Sequence, residues 1–168
     1  MRRPRPIAPG PGQESVWDYP RPPRLERTDE RIEIVLGGTS IATTSDGWRV
    51  LETSHPPTYY LPSSAFAPGV LRPTFGSSHC EWKGAASYFD LAAAEDGPVL
   101  AERAAWTYPD PTPAFADLAG AVSVMPAAVE AAYVDGERVR PQEGGFYGGW
   151  ITDRVVGPFK GVPGSWGW

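Results

Sequence analysis

The sequence predicts a mainly β domain made of two packed antiparallel sheets, with at most one or two short helices. Three observations predict this class. Short runs of alternating or β-branched apolar residues recur along the chain, turns rich in Gly and Pro separate them, and only one segment has a helical pattern. A chain of 168 residues is long enough for one domain with a sizeable core and terminal extensions.

Composition divides the chain into three parts. Residues 1–28 are a Pro/Arg-rich N-terminal arm with the composition of an extended, weakly folded segment, in which Trp17 and Tyr19 are able to dock onto the body. Residues 29–140 are the β domain. Residues 141–168 are a tail too rich in Gly, Pro and aromatic residues for regular structure. Because aromatic rings bury large areas, we expect this tail to wrap the domain.

Eight segments have the alternation or the β-branched content of strands. They are residues 31–36, 39–43, 49–53, 58–61, 86–91, 99–106, 121–125 and 129–134. The first two flank a Gly-Gly turn at 37–38 and so form a hairpin. The fifth and sixth flank Glu-Asp-Gly-Pro at 95–98, the clearest hairpin in the sequence. The last two form a further strand pair, and the Asp-Gly turn at 135–136 leads into a short segment at 138–139.

Two segments are less regular. Prolines bound the strand at residues 58–61 on both sides, and because proline donates no backbone hydrogen bond, we expect this strand at an edge or a bend. Residues 113–120 have the pattern of one or two helical turns. Phe115 and Leu118 would face inward, and Gly120 would end the helix.

Charge and cysteine content narrow the function classes. The net charge is −5 and uneven, because residues 1–28 carry six arginines against three acids. The acidic remainder is a poor match for a phosphate backbone, so we expect no nucleic-acid partner. The single cysteine, Cys80, cannot complete a disulfide or a structural zinc site, so we expect no metal and a reducing, cytoplasmic location. No long apolar stretch follows the basic start, so we expect neither export nor a membrane partner.

The two lysines of the chain stand out from its thirteen arginines. Lys83 and Lys160 occupy the same local context, with an aromatic residue before and a glycine after. A guanidinium stays charged in any surroundings, whereas a buried ammonium can lose its proton and act as a base, a nucleophile or a tunable point charge. The lysines are therefore the first candidates for a functional site.

Three segments around these side chains resemble one known family. They read ETSHPPTYYLP at residues 52–62, SHCEWKGAASY at 78–88 and AAWTYPDP at 104–111. In this order they resemble the bacterial and fungal family labelled domain of unknown function 427, over roughly residues 30–140. The tail, with FYGGW from residue 146 and GPFKG from residue 157, resembles the ending of one subgroup.

The resemblance implies a fold of the β-tent, or Mss4-like, kind, in which two antiparallel sheets are pinned together at one end, in relatives by a zinc on four cysteines. Cys80 stands alone, so here the zinc would be replaced by packing or lost. The family also carries a nucleotidyltransferase-like label. Such enzymes place a Gly-Gly or Gly-Ser turn ahead of an Asp-x-Asp pair that holds two metals. Here the turn at 37–38 is followed by Asp46 alone, so the sequence does not support this activity.

The candidate site centres on Lys83. The predicted ligand-binding residues are Glu52, Tyr59, Tyr60, Cys80, Trp82, Lys83, Tyr88 and Trp106. Cys80 and Lys83, three residues apart on one turn or short irregular segment, would bring a thiol near an ammonium that aromatic neighbours desolvate. In the structural alternative, Lys83 is capped by carbonyls or paired with Glu52, and Cys80 is a small buried apolar residue. Three roles remain open for Glu52: a general base, the counter-ion of Lys83, or an exposed charge at the end of a strand.

The histidines and the aromatic residues also have two interpretations. His55 forms a Glu-x-x-His pattern with Glu52, which is half of a metal site, but without clustered ligands we interpret His55 and His79 as solvated loop residues. Five aromatic side chains either pack hairpins and core or line a ligand site. They are Trp82, Tyr88, Trp106, Tyr108 and Tyr147.

Three functions remain open from the sequence. The first is a small-molecule binding module without a cofactor, whose aromatic cleft between the sheets uses Lys83 and Glu52 to orient an anionic or polar ligand. The second is a small cofactor-free enzyme in which Lys83 is a base or electrophile and Glu52, with Tyr88, moves protons. The third is a protein-interaction domain that acts through its Pro-rich arm, since such segments dock on aromatic grooves.

Overall fold

Residues 3–168, the part of the chain that the computed structural model describes, form a mainly β structure, as predicted. The strands in these residues are β1 (Glu14–Ser15), β2 (Arg24–Thr28), β3 (Ile32–Leu36), β4 (Thr39–Thr44), β5 (Gly47–Leu51), β6 (Thr58–Pro62), β7 (Leu71–Cys80), β8 (Gly84–Ala92), β9 (Val99–Thr107), β10 (Ala121–Val124), β11 (Ala131–Val134), β12 (Glu137–Arg138), β13 (Arg140–Pro141), β14 (Trp150–Ile151) and β15 (Val155–Val156). Short 3-10 helices lie at Val16–Asp18, Ser63–Ala65, Pro113–Leu118 and Pro126–Ala128. No helix among the described residues has the length and apolar character needed to cross a membrane.

Two antiparallel sheets contain most of the strands. The larger has seven strands in the order β2-β5-β6-β10-β9-β8-β7, and the smaller has four in the order β12-β11-β3-β4. Two further pairs attach the ends of the chain: β1 runs parallel to β15, and β13 runs antiparallel to β14. The two predicted hairpins are confirmed, because β3 pairs with β4 and β8 pairs with β9.

Two predicted strand placements need correction. Strand β6 lies inside the seven-stranded sheet, between β5 and β10, so of the two expected positions, an edge or a bend, the edge is wrong. Its prolines leave the ladder intact because Pro57 precedes the strand and Pro62 ends it. Strands β10 and β11 do not pair with each other but belong to different sheets. The 3-10 helix at Pro126–Ala128 separates them and redirects the chain.

Strands β2 and β7 were not predicted from the sequence. The ten residues of β7 are mostly exposed and include Pro73 and Gly76, so they lack the alternation that marks a half-buried strand. The helical pattern at residues 113–120 forms a 3-10 helix, and Phe115 and Leu118 are buried on it as predicted. Four short 3-10 helices, and no α-helix, account for the helical content of residues 3–168, where one or two short helices were expected.

The main core lies between the two large sheets. Ile32 and Ile34 on β3 pack there with Leu61 on β6 and Val122 on β10, and all four are almost completely buried. Trp150 from the C-terminal tail joins this core and donates a hydrogen bond from its indole nitrogen to the Val124 carbonyl at 3.1 Å. The tail is therefore part of the packed structure.

The N-terminal arm packs against the rest of the molecule. Residues 24–28 are strand β2, which lies at one edge of the seven-stranded sheet. Val16, Trp17 and Tyr19 are buried in a separate cluster with Leu51 of the sheet and Val155 of the tail. Aromatic area explains this packing, because two large rings and one branched side chain anchor the segment.

A buried arginine connects the arm, the tail and the sheet. Arg49 on β5 is only 1% exposed, and its guanidinium donates to Glu14 at 3.2 Å and to Glu26 at 2.6 Å. Glu14 also accepts from the Tyr19 hydroxyl at 2.7 Å and from Arg154 at 2.9 Å. A buried guanidinium needs paired acceptors, so Glu14 links the arm to the strand beneath it.

Replacing Glu14 by alanine should therefore lower the free energy of unfolding by about 2 kcal/mol, the scale of hydrogen bonds to charged groups. Urea denaturation at neutral pH measures this change. The exposed neighbour Asp18 supplies the control, because Asp18→Ala should stay within about 0.5 kcal/mol of the wild type. Equal losses in both variants would contradict an anchoring role for Glu14.

The same network predicts a pH dependence. Partial burial raises the pKa of Glu14, but hydrogen bonds from Tyr19 and Arg49 and the charges of Arg49 and Arg154 outweigh it, so this pKa lies below its ordinary value. The stability that Glu14 contributes is present above the ordinary glutamate pKa and is lost as the pH falls through the lower folded-state value. Wild type should thus lose more stability than Glu14→Ala below about pH 4.5.

Candidate functional site

A concave site lies on the outer face of the seven-stranded sheet, which is the face turned away from the four-stranded sheet. It is a cavity of about 480 Å³. Its lining residues come from the sheet, the β7–β8 turn and the tail, and they are Val50, Glu52, His55, Pro56, Thr58, Tyr60, Ser78, His79, Cys80, Glu81, Trp82, Lys83, Ala86, Tyr88, Arg103, Trp106, Tyr108, Met125, Gln142, Phe146, Tyr147 and Gly148. The cleft expected between the two sheets is instead filled by the main core.

Strand alternation separates the two neighbouring tyrosines of β6. Tyr60 points to the outer face and lines the cavity, whereas Tyr59 points into the main core and is 1% exposed. The Tyr59 ring lies 5.2 Å from that of Trp150, and its hydroxyl donates to Glu30 at 3.0 Å. Tyr59 therefore does not line this cavity, because adjacent residues of a strand face opposite sides.

The floor of the cavity is aromatic and hydrogen-bonded. The indole nitrogen of Trp106 donates to the Tyr60 hydroxyl at 3.2 Å, and the Tyr60 and Tyr108 rings lie 6.5 Å apart. Burial raises the pKa of both tyrosines well above the ordinary value, so their hydroxyls stay protonated. Cys80 is a half-buried free thiol at the end of β7 and lines the same cavity.

Lys83 lies on the turn between β7 and β8. Thr112 holds this turn from behind, since its backbone N–H donates to the Lys83 carbonyl at 3.0 Å and its hydroxyl donates to the Trp82 carbonyl at 2.6 Å. Gly84 ends the turn at φ +109°, a conformation that favours glycine. The turn directs the Lys83 ammonium over the Tyr108 ring, 5.6 Å from its centroid.

Glu52 lines the cavity without pairing with Lys83. Its carboxylate accepts from Arg21 at 3.2 Å and lies 3.7 Å from the imidazole of His55. Within residues 3–168 no carboxylate lies at ion-pair distance from the Lys83 ammonium. The interpretation of Lys83 and Glu52 as a structural ion pair is therefore wrong, and Arg21 from the arm takes the position expected for the lysine.

The environment of His55 keeps its imidazole neutral. Burial lowers the pKa of His55, the Glu52 carboxylate raises it, and the charges of Lys160, Arg21 and Lys83 lower it again, to about 4. The two lysines of the shared aromatic–Lys–Gly context thus act on the same imidazole. His55 is mostly buried and packs against the Tyr147 ring at 5.2 Å, and is not a solvated loop residue.

Gln142 from the tail fixes the tautomer of His55. Its amide oxygen accepts from the Gly149 N–H at 3.1 Å, and its amide nitrogen donates to the Lys160 carbonyl at 2.7 Å, so the amide orientation is set. The same nitrogen lies 3.1 Å from His55 Nδ1, which must accept. The imidazole proton is therefore on Nε2, on the side of Glu52. Within the described residues, His, Cys, Asp and Glu side chains form no group of three or more that would hold a metal.

Seven of the eight predicted site residues line the cavity, and Tyr59 is the exception. Three further lining residues, Arg103, Gln142 and Phe146, were not predicted from the sequence. In a regular strand, the side chain of Arg103 would face the core, and no local sequence pattern marks it as a site residue. Gln142 and Phe146 come from the tail, and only the expectation that the tail wraps the domain pointed toward them.

The molecule is a mainly β protein with an aromatic, lysine-containing cavity on one sheet face. The family model described as domain of unknown function DUF427 matches residues 24–135, and the chain belongs to this family. Curated proteins give no match to the chain. The matched range includes Lys83 and the whole seven-stranded sheet, whereas the tail wall at residues 142–148 lies outside it.

Lys160→Met should raise the pKa of His55 from about 4 toward its ordinary value of 6.5, because it removes a positive charge that disfavours the protonated imidazole. NMR titration of the imidazole signals measures this pKa, and His79→Asn assigns them, since the chain has two histidines. Because the unfolded state binds its proton near the ordinary value, wild-type stability should also fall as the pH drops from 6.5 to about 4. A wild-type His55 that titrates near 6.5 would contradict this assignment.

Proposed function

We propose that the protein binds a small anionic molecule with a planar body in the cavity on the outer sheet face. The observation that carries the proposal is the position of Lys83. Its ammonium stands over the Tyr108 ring at the cavity wall, and among residues 3–168 no carboxylate pairs with it. A cation that lines a cavity without a protein counter-ion is available to an anionic ligand.

The size of the cavity suits a small molecule. Ligand sites of roughly 300–1,000 Å³ are typical for compounds of metabolite size, and this cavity of about 480 Å³ falls within that range. Such sites combine apolar and aromatic walls with a few placed polar groups. Here the rings of Tyr60, Trp106 and Tyr108 form the floor, and the polar groups lie at its margins.

The aromatic walls favour a planar ligand body. Flat rings offer large contact areas for offset stacking at little cost in side-chain entropy. The hydrogen bond between Trp106 and Tyr60 and the packing of Tyr108 against Tyr60 hold these rings in place before any ligand binds. Pre-organised contacts of this kind reduce the entropic cost of binding.

The charges favour an anionic group on the ligand. The Lys83 ammonium is half-buried, so an ionic hydrogen bond to it is less weakened by water than one at the open surface. Glu52 does not compete for Lys83, because Arg21 pairs with it. The protonated hydroxyls of Tyr60 and Tyr108 add no negative charge to the floor.

Binding is favoured over catalysis by the state of the proton-transfer groups. A general base needs a free lone pair near the substrate. His55 Nδ1 is occupied by the Gln142 amide, and Glu52 is held by Arg21. Catalysis by Lys83 itself would show as a chemical change in the ligand, so recovery of the bound compound and its mass separate the two functions.

Lys83→Met should weaken binding of the probe 4-hydroxybenzoate by about tenfold or more, the loss expected for one charge-assisted contact. Binding to the uncharged analogue 4-hydroxybenzamide should change little. Isothermal titration calorimetry measures both affinities. Because no carboxylate loses its partner, the variant should unfold within about 1 kcal/mol of the wild type.

Lys160→Met is the matched control, since Lys160 has the same aromatic–Lys–Gly context but does not line the cavity. It should bind 4-hydroxybenzoate within about threefold of the wild type, a difference near the size of surface electrostatic effects. Equal effects of the two lysine substitutions, or a wild type that does not distinguish the acid from the amide, would overturn the proposed function.

A further inference from the structure

An irregularity in the large sheet turns Arg103 toward the cavity. Phe89 on β8 lies opposite Ala105 on β9, and Leu91 lies opposite Ala101, so β9 has three residues where β8 has one. Arg103, in the middle of this bulge, has φ +48° and donates its backbone N–H to the Asp90 carboxylate at 2.7 Å. Bulges re-aim side chains, and left-handed residues other than glycine concentrate at functional sites.

The bulge determines the face on which the Arg103 side chain lies. In a regular strand, Arg103 would share the core face with Ala105, two residues away. Instead the guanidinium lies over the Tyr88 ring, 4.7 Å from its centroid, and over Phe75 at 5.5 Å. A Cβ at position 76 would lie 2.7 Å from Arg103 Nη2, so Gly76 leaves the space that the guanidinium occupies.

The stacked guanidinium has no carboxylate partner. Within residues 3–168 no acidic side chain forms an ion pair with Arg103, and Asp90 contacts only its backbone. Stacking on a ring occupies the faces of a guanidinium and leaves its N–H edges free, the arrangement that binds carboxylate or phosphate oxygens in pairs. Tyr88 is itself held, because its hydroxyl is hydrogen-bonded to Ser78 at 2.7 Å.

We propose that Arg103 forms a second anion subsite of the cavity, so that the ligand class is a planar compound with two anionic groups, each a carboxylate or a phosphate. One group binds Lys83 and the other binds Arg103. This inference rests on the proposed function, and it names the ligand class of that same site.

The strand register places the two subsites within reach of one small molecule. Thr107 lies opposite Ser87, so the next residue, Tyr108, is level with Ala86, two residues from Tyr88 along β8. Two residues of a strand span roughly 7 Å. The distance between Tyr108, which lies beneath Lys83, and Tyr88, which lies beneath Arg103, therefore matches the length of one aromatic ring with a substituent at each end.

The test compares a singly and a doubly charged probe by calorimetry. Wild-type protein should bind terephthalate about tenfold more tightly than 4-hydroxybenzoate, since the second carboxylate gains one charge-assisted contact. Arg103→Gln should abolish this preference. 4-Carboxyphenyl phosphate, in place of terephthalate, shows whether Arg103 prefers phosphate or carboxylate at its subsite.

Two further variants separate recognition from general electrostatics. Arg31→Gln removes an exposed arginine elsewhere on the β domain and should preserve the preference for the dianion. Arg103→Lys keeps the charge but loses the planar fork, so it should retain only part of that preference. If Arg103→Gln keeps the preference for the dianion while Lys83→Met still weakens 4-hydroxybenzoate binding, the second subsite alone is overturned. Absence of binding by every probe to the wild type overturns both the subsite and the proposed function.

Discussion

The two-residue alternation of side chains along the seven-stranded sheet is the constraint on which the rest of the structure depends. Each central strand must bury side chains on both faces of the sheet. The four-stranded sheet covers one face, and the N-terminal arm, the C-terminal tail and the 3-10 helix at Pro113–Leu118 cover parts of the other. Tyr59 and Tyr60 show the consequence directly. One completes the core, and its neighbour forms the cavity floor, so the stability of the sheet and the shape of the site are set by the same strand.

Much of the fold follows from local patterns in the sequence, because alternation and Gly-containing turns act over a few residues. The hairpins at β3–β4 and β8–β9 and the inward side chains Phe115 and Leu118 are of this kind. The interior position of β6 and the separation of β10 from β11 depend on contacts distant in sequence, and no local pattern reports them. The β-tent arrangement implied by the family resemblance stays a prediction.

Seven cavity residues were predicted from three sequence segments, at residues 52–62, 78–88 and 104–111. The segment from Cys80 to Tyr88 forms a hairpin whose turn and strand both reach the cavity. The partner of Glu52 was not predictable, because Arg21 approaches from the arm, 31 residues earlier in the chain. Arg103 was not predicted because it lies in a bulge. The sequence of one strand does not show how many residues the neighbouring strand places opposite it.

The shared context of the two lysines shows how one local motif serves two purposes. Lys83 projects from a turn into the cavity, whereas the Lys160 ammonium donates to the Trp168 backbone oxygen at 3.2 Å and helps hold the tail. Both lower the pKa of His55, so positive charge gathers around an imidazole that stays neutral. The chain as a whole is acidic, with a net charge of −5. Since distant charges are screened over about 8–10 Å at physiological salt, the nearby ammonium and guanidinium groups, and not the net charge of the chain, dominate the electrostatic potential in the cavity.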